Sequence, residues 1–407
     1  MSTLTGEVTV TGFGVRTAFG TGADALRRGV FAGVPSFAPT TRFDTGPYRT
    51  PMAGAAPDGP DAVEGWALRH ALARCGTEAL DMAGLPRDTE AAVLLGIAGD
   101  CTGITRHWRD AAGPGAASDG PDGSEGMVDP LRARLADAVP ARLAESLASE
   151  LRLTGPRLTF TNACVASAAA IIHGCRLISS GRIDAAVCAG GYLVEEETFG
   201  KFDSGRALSR DGMVRPFSAD RTGLLLGDGV AAVVLESAEH ARRRGARPLA
   251  GVVGWGAATD AHHIAQPHPE GVGLARAARQ ALRLAGDPDG TDLGYVNAHG
   301  TGTKYNDGAE TRGLRAALPK RAEAVPVSST KSTTGHLLEA AGVVEFVITM
   351  LALTDGVLPP TAGFTAPDPE CDLDYVPNEP RPADLRRALT INAAFGGANT
   401  ALVLERP

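Results

Sequence analysis

One stretch constrains this chain more than any other: residues 158–181, LTFTNACVASAAAIIHGCRLISSG, with Cys164 at its turning point. The apolar run Leu158 to Phe160 predicts a short buried strand, and a polar corner follows it. The Ala/Ile-rich segment closed by Gly181 predicts a helix buried on nearly all sides. Cys164 would then stand at the N-terminus of that helix, where unpaired backbone N–H groups and the positive end of the helix dipole favour thiolate over thiol. On this stretch alone the plainer reading is a small apolar cysteine packed in a core beside Cys175 and Cys188. Two histidine motifs far downstream change that balance.

With 407 residues the chain exceeds one average domain, which predicts one large α/β domain or two similar halves. Aromatic residues make up only 5% while glycines number 51, a composition suited to helices packed closely on strands. In order, Val8 to Gly14 reads as a first strand and 37–62 as a surface excursion rich in Pro, Gly and Thr. Trp66 to Gly84 reads as an amphipathic helix with a glycine cap, and Ala91 to Gly96 as an apolar strand covered on both faces. Residues 111–129 are rich in glycine and poor in hydrophobic groups, so they read as a surface loop with no chemistry assigned. Helical spacing resumes over Leu131 to Leu151, and RIDAAVCAGG at 182–191 is a buried strand, so strand, helix and strand succeed one another as in a parallel crossover.

The run ARRRGARP at 241–248 breaks the composition near the middle and divides the chain into halves, 1–243 and 244–407; its three successive arginines read as a solvated helix end. The second half repeats the grammar of the first, with a strand at Leu249 to Gly256, a helix at Gly271 to Gly286 and a strand at Asp292 to Ala298. A strand, a corner and a long apolar helix then follow over Pro326 to Gly356. Two such units related by a pseudo-twofold would bring two helix N-termini together, one carrying Cys164 and the other His336.

The net charge of −8 and pI near 5.6 argue against a nucleic-acid partner, which needs a basic surface. The six cysteines show no CxxC pair and no small-domain framework, which predicts a reducing cytoplasm. No signal-peptide pattern and no run of 18 apolar residues occurs, so a soluble protein away from the membrane is expected.

Three short segments carry the chemistry: TNACVAS around Cys164, VNAHGTGT around His299 and KSTTGHLLEAAG around His336. Each reactive residue follows a predicted strand among Gly, Ser and Thr, where backbone approaches a ligand closely and strand ends converge. A single histidine is more often a satisfied structural residue than a catalytic one. Two in such settings, with a cysteine at a helix start, point instead to a nucleophile flanked by imidazoles.

In this order and at these separations the three segments resemble the β-ketoacyl synthases, the condensing enzymes of fatty acid and polyketide synthesis. The likeness spans nearly the whole chain. VTGFGVRTAFG (10–20) is similar to the family's opening motif, KFDSGRALSRD and RPFSADRTGLLLGDG (201–229) to its central segment, and INAAFGGANTALVLE (391–405) to its closing strand and glycine turn. A cysteine with two histidines separates the chain from the Cys-His-Asn branch that starts chains from acyl-CoA. YNDGAET (305–311) and DPECDLDYVPNEPR (368–381) most resemble ketosynthase subunits of bacterial type II polyketide systems. The resemblance implies a thiolase-type α/β fold in five layers, α-β-α-β-α, with two pseudo-symmetric halves. It implies a dimer, with a second copy or with a chain-length-factor-like paralogue. It also implies an acyl carrier protein as partner, whose phosphopantetheine arm carries the substrates, so neither a separate cofactor nor a metal is expected.

By the same resemblance Cys164 accepts an acyl group, and His299 and His336 donate through Nε2 to the enolate oxygen left when the second substrate loses CO2, each donor contributing on the order of 3 kcal/mol. The backbone N–H groups of Cys164 and Phe395 are implied to form a second oxyanion hole, Phe395 to gate the acyl pocket, and Lys331 with Glu310 to form a buried ion pair that holds the histidines. Leu224, Thr301, Thr303, Gly396 and Gly397 are implied pocket residues, and Arg206, Arg210 and Arg215 candidate contacts for the acidic carrier. The chain departs from the family at Thr222 and Leu224, where Asp and Phe are usual, and at Glu339 and Ala394, where Gly is usual. Two other readings stand beside elongation: acyl transfer or ring closure without elongation, and a non-catalytic partner of the chain-length-factor kind, a class that generally lacks the nucleophile.

Overall fold

The computed structural model describes residues 7–55, 67–101, 104–105 and 135–407. The glycine-rich stretch 111–129 and the first four residues of the segment 131–151 lie outside the described residues.

Among the described residues each half of the chain contributes five strands to the main path of the large sheet, and the short strand Gly20–Thr21 pairs with the first of them. The first half supplies β1 (Val8–Thr17), β2 (Ala92–Gly96), β3 (Arg157–Phe160), β4 (Ala185–Tyr192) and β5 (Gly229–Ser237). The second supplies β6 (Ala250–Thr259), β7 (Leu293–Asn297), β8 (Val327–Ser328), β9 (Arg387–Ala393) and β10 (Ala398–Glu405). Their spatial order is β3-β2-β4-β5-β1, running directly into β6-β10-β9-β7-β8. The pairing sense repeats as well. From the centre outward each half has two antiparallel pairings and then two parallel ones. The halves meet where β1 and β6 pair antiparallel through Val8 with Val252, Thr9 with Gly251 and Val10 with Ala250.

The helices α1 (Ala67–Ala83), α2 (Pro140–Leu151), α3 (Ala166–Ser179), α4 (Glu196–Ser204), α5 (Val272–Leu284), α6 (Lys304–Ala317) and α7 (Ala341–Asp355) complete the layers. α1 and α2 cover the outer face of the first half, α5 backed by α6 covers that of the second, and α3 and α7 pack on each other between the two halves of the sheet. This sandwich explains the residue patterns. A helix with sheet on both sides must be apolar all round, and α7 is buried at every position from Ala341 to Leu353. The two central helices approach at backbone distance, because a Cβ on Gly342 would lie 2.4 Å from the amide nitrogen of Ala168.

Several expectations change in detail. β3 is not buried: it is the outermost strand of its half, and Leu158 is 41% exposed. The α2 helix begins at Pro140, with proline in its first turn where the missing N–H costs nothing. Arg242 and Arg243 are exposed as expected, but Arg244 turns back to the fully buried Glu236, which Thr11 and His240 also contact. The long apolar helix starts at Ala341, so His336 precedes it rather than opening it. Among the described residues no helix is long and apolar enough to cross a membrane.

Candidate active site

Cys164 lies in a single 3₁₀ turn, Ala163–Val165, between β3 and α3. Ala163 takes φ 53°, a left-handed conformation that costs a non-glycine residue on the order of 1 kcal/mol, so the corner is strained and sharply turned. His336 reaches the same point from the other half. Gly335, at φ 75°, turns the chain, and the strand-like segment Leu225 to Gly227 then clasps His336 through its N–H to Leu225 O (2.7 Å) and its carbonyl from Gly227 N (3.1 Å). His299 follows β7 directly. Glu310 on α6 pins that corner, accepting the N–H groups of His299 and Gly300 on its two oxygens at 2.7 Å each.

The three side chains converge. His336 Nε2 is 3.1 Å from Cys164 Sγ, and the two imidazole centroids are 5.3 Å apart with planes at 85°. Burial is the first cause, and the Lys331 charge the next, that holds both imidazoles well below the usual histidine range, so both are neutral near pH 7. The Nδ1 atoms of both rings are buried with no hydrogen-bond partner among the described residues. A buried lone pair is tolerated more readily than a buried orphan N–H, which favours the tautomer with the proton on Nε2. His336 then donates toward the sulfur, and the site holds two neutral donors.

The thiol itself departs from the expectation of a helix-stabilised thiolate. Burial pushes Cys164 up to about 12 and the Glu339 charge adds to this, while Lys331 and the cysteine's own N–H oppose it. The resting nucleophile is therefore a thiol, and the dipole of α3 acts against a larger desolvation cost.

Lys331 does not pair with Glu310. Its Nζ donates to Glu345 Oε1 at 2.5 Å, each side chain being 1% exposed, and Asn392 Nδ2 occupies the other carboxylate oxygen at 2.6 Å. Glu310 is spent on the His299 corner, and burial raises it to about 7. Glu345 and Asn392 escaped the reading of the motifs. A lone carboxylate in the otherwise apolar segment AAGVVEFVITM was the available signal, since such a group needs a buried partner.

A cavity of about 220 Å³ opens beside Cys164, with Tyr192, Glu195, Lys201, Phe202, Glu339 and Phe395 in its wall. Phe395 is 53% exposed and stacks on Phe202 with centroids 5.7 Å apart. It opens a short turn in which Gly396 and Gly397 take φ 82° and 81°. Ala394 before it is extended at φ −137°, a conformation open to any residue, so the departure from glycine there is unstrained. Leu224 is buried in the core that contains Cys164, and Thr301 and Thr303 bond each other through their hydroxyls at 2.8 Å; neither these residues nor the two glycines line this cavity. Thr222 bonds Ser209 and Asp211. Arg206 and Arg210 are exposed, whereas Arg215 is paired with Asp211 at 2.6 Å and its side chain is only 15% exposed.

Residues 5–241 match the N-terminal domain of beta-ketoacyl synthase, and residues 249–365 match its C-terminal domain. The chain belongs to the beta-ketoacyl synthase family. It is 37% identical to the tetracenomycin polyketide synthase ketoacyl synthase alpha subunit of Streptomyces glaucescens, covering 98% of this chain and 97% of that one. It is 34% identical to 3-oxoacyl-[acyl-carrier-protein] synthase 2 of Vibrio harveyi, covering 98% of each. Among solved structures, the ishigamide ketosynthase/chain length factor superposes with a TM-score of 0.89 at 33% identity over 99% of this chain and 100% of that one. A beta-ketoacyl synthase from Burkholderia phymatum gives 0.86 at 28% identity over 99% of this chain and 100% of that one. The fold is thus thiolase-like, and membership in this family makes the protein a condensing acyltransferase.

Proposed function

We propose that this enzyme is a β-ketoacyl-[acyl carrier protein] synthase of a type II polyketide pathway. The observation that carries the reading is His336 Nε2 at 3.1 Å from the Cys164 sulfur with His299 beside it, a nucleophile and two neutral donors at one point. In the first half-reaction Sγ attacks the carrier thioester, the bond to the carrier sulfur breaks, and the thiol proton leaves with that sulfur. In the second, malonyl carrier loses CO2, and His299 and His336 donate through Nε2 to the enolate oxygen. The enolate carbon then attacks the Cys164 thioester, the new C–C bond forms as the C–S bond breaks, and the returning thiolate takes up a proton. Neither step calls on a resident metal or cofactor.

Lys331, Glu345 and Asn392 act as positioning residues for the histidine corner. Arg206 and Arg210 are the arginines left exposed to meet an acidic carrier in the cytoplasm. The ishigamide ketosynthase/chain length factor structure supports pairing with a chain-length-factor-like paralogue, and a second copy of this chain is the other partner we propose. A non-catalytic role fits poorly with the intact set of Cys164, His299 and His336. Leu224, standing where an aromatic is usual, favours keeping transfer without elongation as the second reading, and CO2 release from malonyl carrier separates the two.

Intact mass after incubation with acyl carriers of graded length tests the proposal. The wild type should gain the acyl mass and Cys164→Ala should not, while Cys164→Ala should retain malonyl decarboxylation. His336→Ala should still be acylated but should decarboxylate roughly a hundredfold more slowly. A mass gain that persists in Cys164→Ala places the nucleophile elsewhere and sinks the assignment.

A further inference from the structure

The cavity that receives whatever is attached to Cys164 carries a carboxyl group close to the sulfur. Glu339 belongs to the short turn Leu338–Ala340, between His336 and the start of α7, and its side chain lines the cavity. The backbone there is held on both sides. Leu338 takes φ 43°, and a Cβ on Gly190 would lie only 3.1 Å from the Glu339 carbonyl oxygen, so β4 and the turn are in close contact. Among the described residues the Glu339 carboxyl makes no ion pair and accepts no hydrogen bond from another residue. Its own N–H and the charge of Lys201 favour its ionised form, but Lys201 already donates to Glu197 at 2.6 Å with its side chain 67% exposed. Burial outweighs both and raises the carboxyl above its ordinary value.

An ionised carboxylate offers about four acceptor sites, so most of those on Glu339 are left to water in the cavity. An acyl chain on Sγ has to run through the same space. Methylenes laid against Ala163, Leu338, Phe202 and Phe395 are buried at a gain. Methylenes laid over Glu339 strip water from its carboxylate and return no hydrogen bond, which is a cost. Glu339 stands close enough for its charge to bear on the Cys164 thiol, so a growing hydrocarbon meets it early.

Resting on the acyl-transfer reading above, we propose that Glu339 determines acyl specificity at Cys164: its hydrated carboxylate sets a ceiling on apolar length, so that short acyl groups load and long saturated ones are refused. Loading is ordinary thioester exchange: the Cys164 S–C bond forms, the donor S–C bond breaks, the thiol proton leaves with the donor sulfur, and Glu339 takes no part in the exchange.

Butanoyl and octanoyl thioesters, on N-acetylcysteamine and on acyl carrier protein, test this when each is followed by intact mass. The wild type should be acylated by butanoyl about tenfold faster than by octanoyl, and Glu339→Ala should bring the two rates within about twofold of each other. Glu339→Gln keeps the size and removes the charge, and should move the ratio the same way. Because the ratio is taken within each variant, neither a loss of fold nor a change in thiol reactivity imitates it. Equal rates in the wild type, a preference for octanoyl, or a ratio unchanged in Glu339→Ala overturns the inference. A ratio that changes in Glu339→Ala but not in Glu339→Gln overturns it too, since the residue is then only a steric plug. Acylation by octanoyl alone overturns it while leaving the enzymatic reading intact. If nothing acylates Cys164, the enzymatic reading fails, and calorimetry with the unreactive butanoyl and octanoyl amides of N-acetylethylenediamine decides the pocket. Octanoyl binding that is weaker in the wild type and restored in Glu339→Ala supports the ceiling, and octanoyl binding as tight as butanoyl in the wild type overturns it.

Discussion

Lys331 Nζ and Glu345 Oε1 lie 2.5 Å apart with both side chains withdrawn from water, so the charge nearest the two histidines is balanced from inside α7. Removing one partner of such a pair leaves an uncompensated buried charge, which typically costs about 3–5 kcal/mol. Lys331→Ala and Glu345→Ala should therefore each lower the unfolding free energy, measured by urea denaturation, by that much. Glu310→Gln keeps one carbonyl for the His299 corner and should lose roughly 1–2 kcal/mol. A mild Glu345→Ala beside a severe Glu310→Gln would assign the ion pair to the wrong carboxylate.

The thiol gives a pH dependence with a definite sign. Because burial pushes Cys164 up to about 12, the thiolate fraction is small at neutral pH and rises about tenfold per unit. Iodoacetamide should alkylate Cys164 ever faster from pH 6 to pH 9 with no plateau. His299 and His336, held below the usual histidine range, stay neutral across that window and add no inflection. A plateau below pH 8 in the alkylation rate would mean that the dipole of α3 outweighs desolvation after all.

Phe395 is half out in solvent, yet it stacks on Phe202 over the cavity mouth, an arrangement in which the ring can swing without breaking the core. Phe395→Ala should slow elongation more than the first acylation, and Phe202→Ala should show the same bias. Single-turnover measurement of each half-reaction checks this. Equal losses in both steps would mark Phe395 as a packing residue only.

Cys164, His299 and His336 were legible because each sits on a short motif whose flanking strand and glycines can be read locally, and the repeat of strand, corner and apolar helix announced two similar halves. The partner of Lys331 was not legible. Glu345 lies 14 positions downstream, and only the crossing of α7 behind the Lys331–Thr334 turn brings it near, which no local pattern encodes. The state of the thiol was misjudged for a related reason: a helix start can be read from sequence, whereas desolvation sums over neighbours drawn from both halves. Tyr192 and Glu195 look like an ordinary strand end and helix start, and only the enclosure around Cys164 gives them a shared neighbourhood.

β1 sits at the centre of the sheet although it precedes every other described strand in sequence. Its neighbours β5 and β6 begin at Gly229 and Ala250, more than 200 residues later. At typical synthesis speeds of about 5–20 residues per second, Val8–Thr17 waits on the order of ten seconds or more for its two long neighbours, and only Arg16 and Thr17 find an early partner, in Thr21 and Gly20. During that interval most of an apolar strand has its hydrogen-bonding groups open on both sides, so early truncations should aggregate rather than fold.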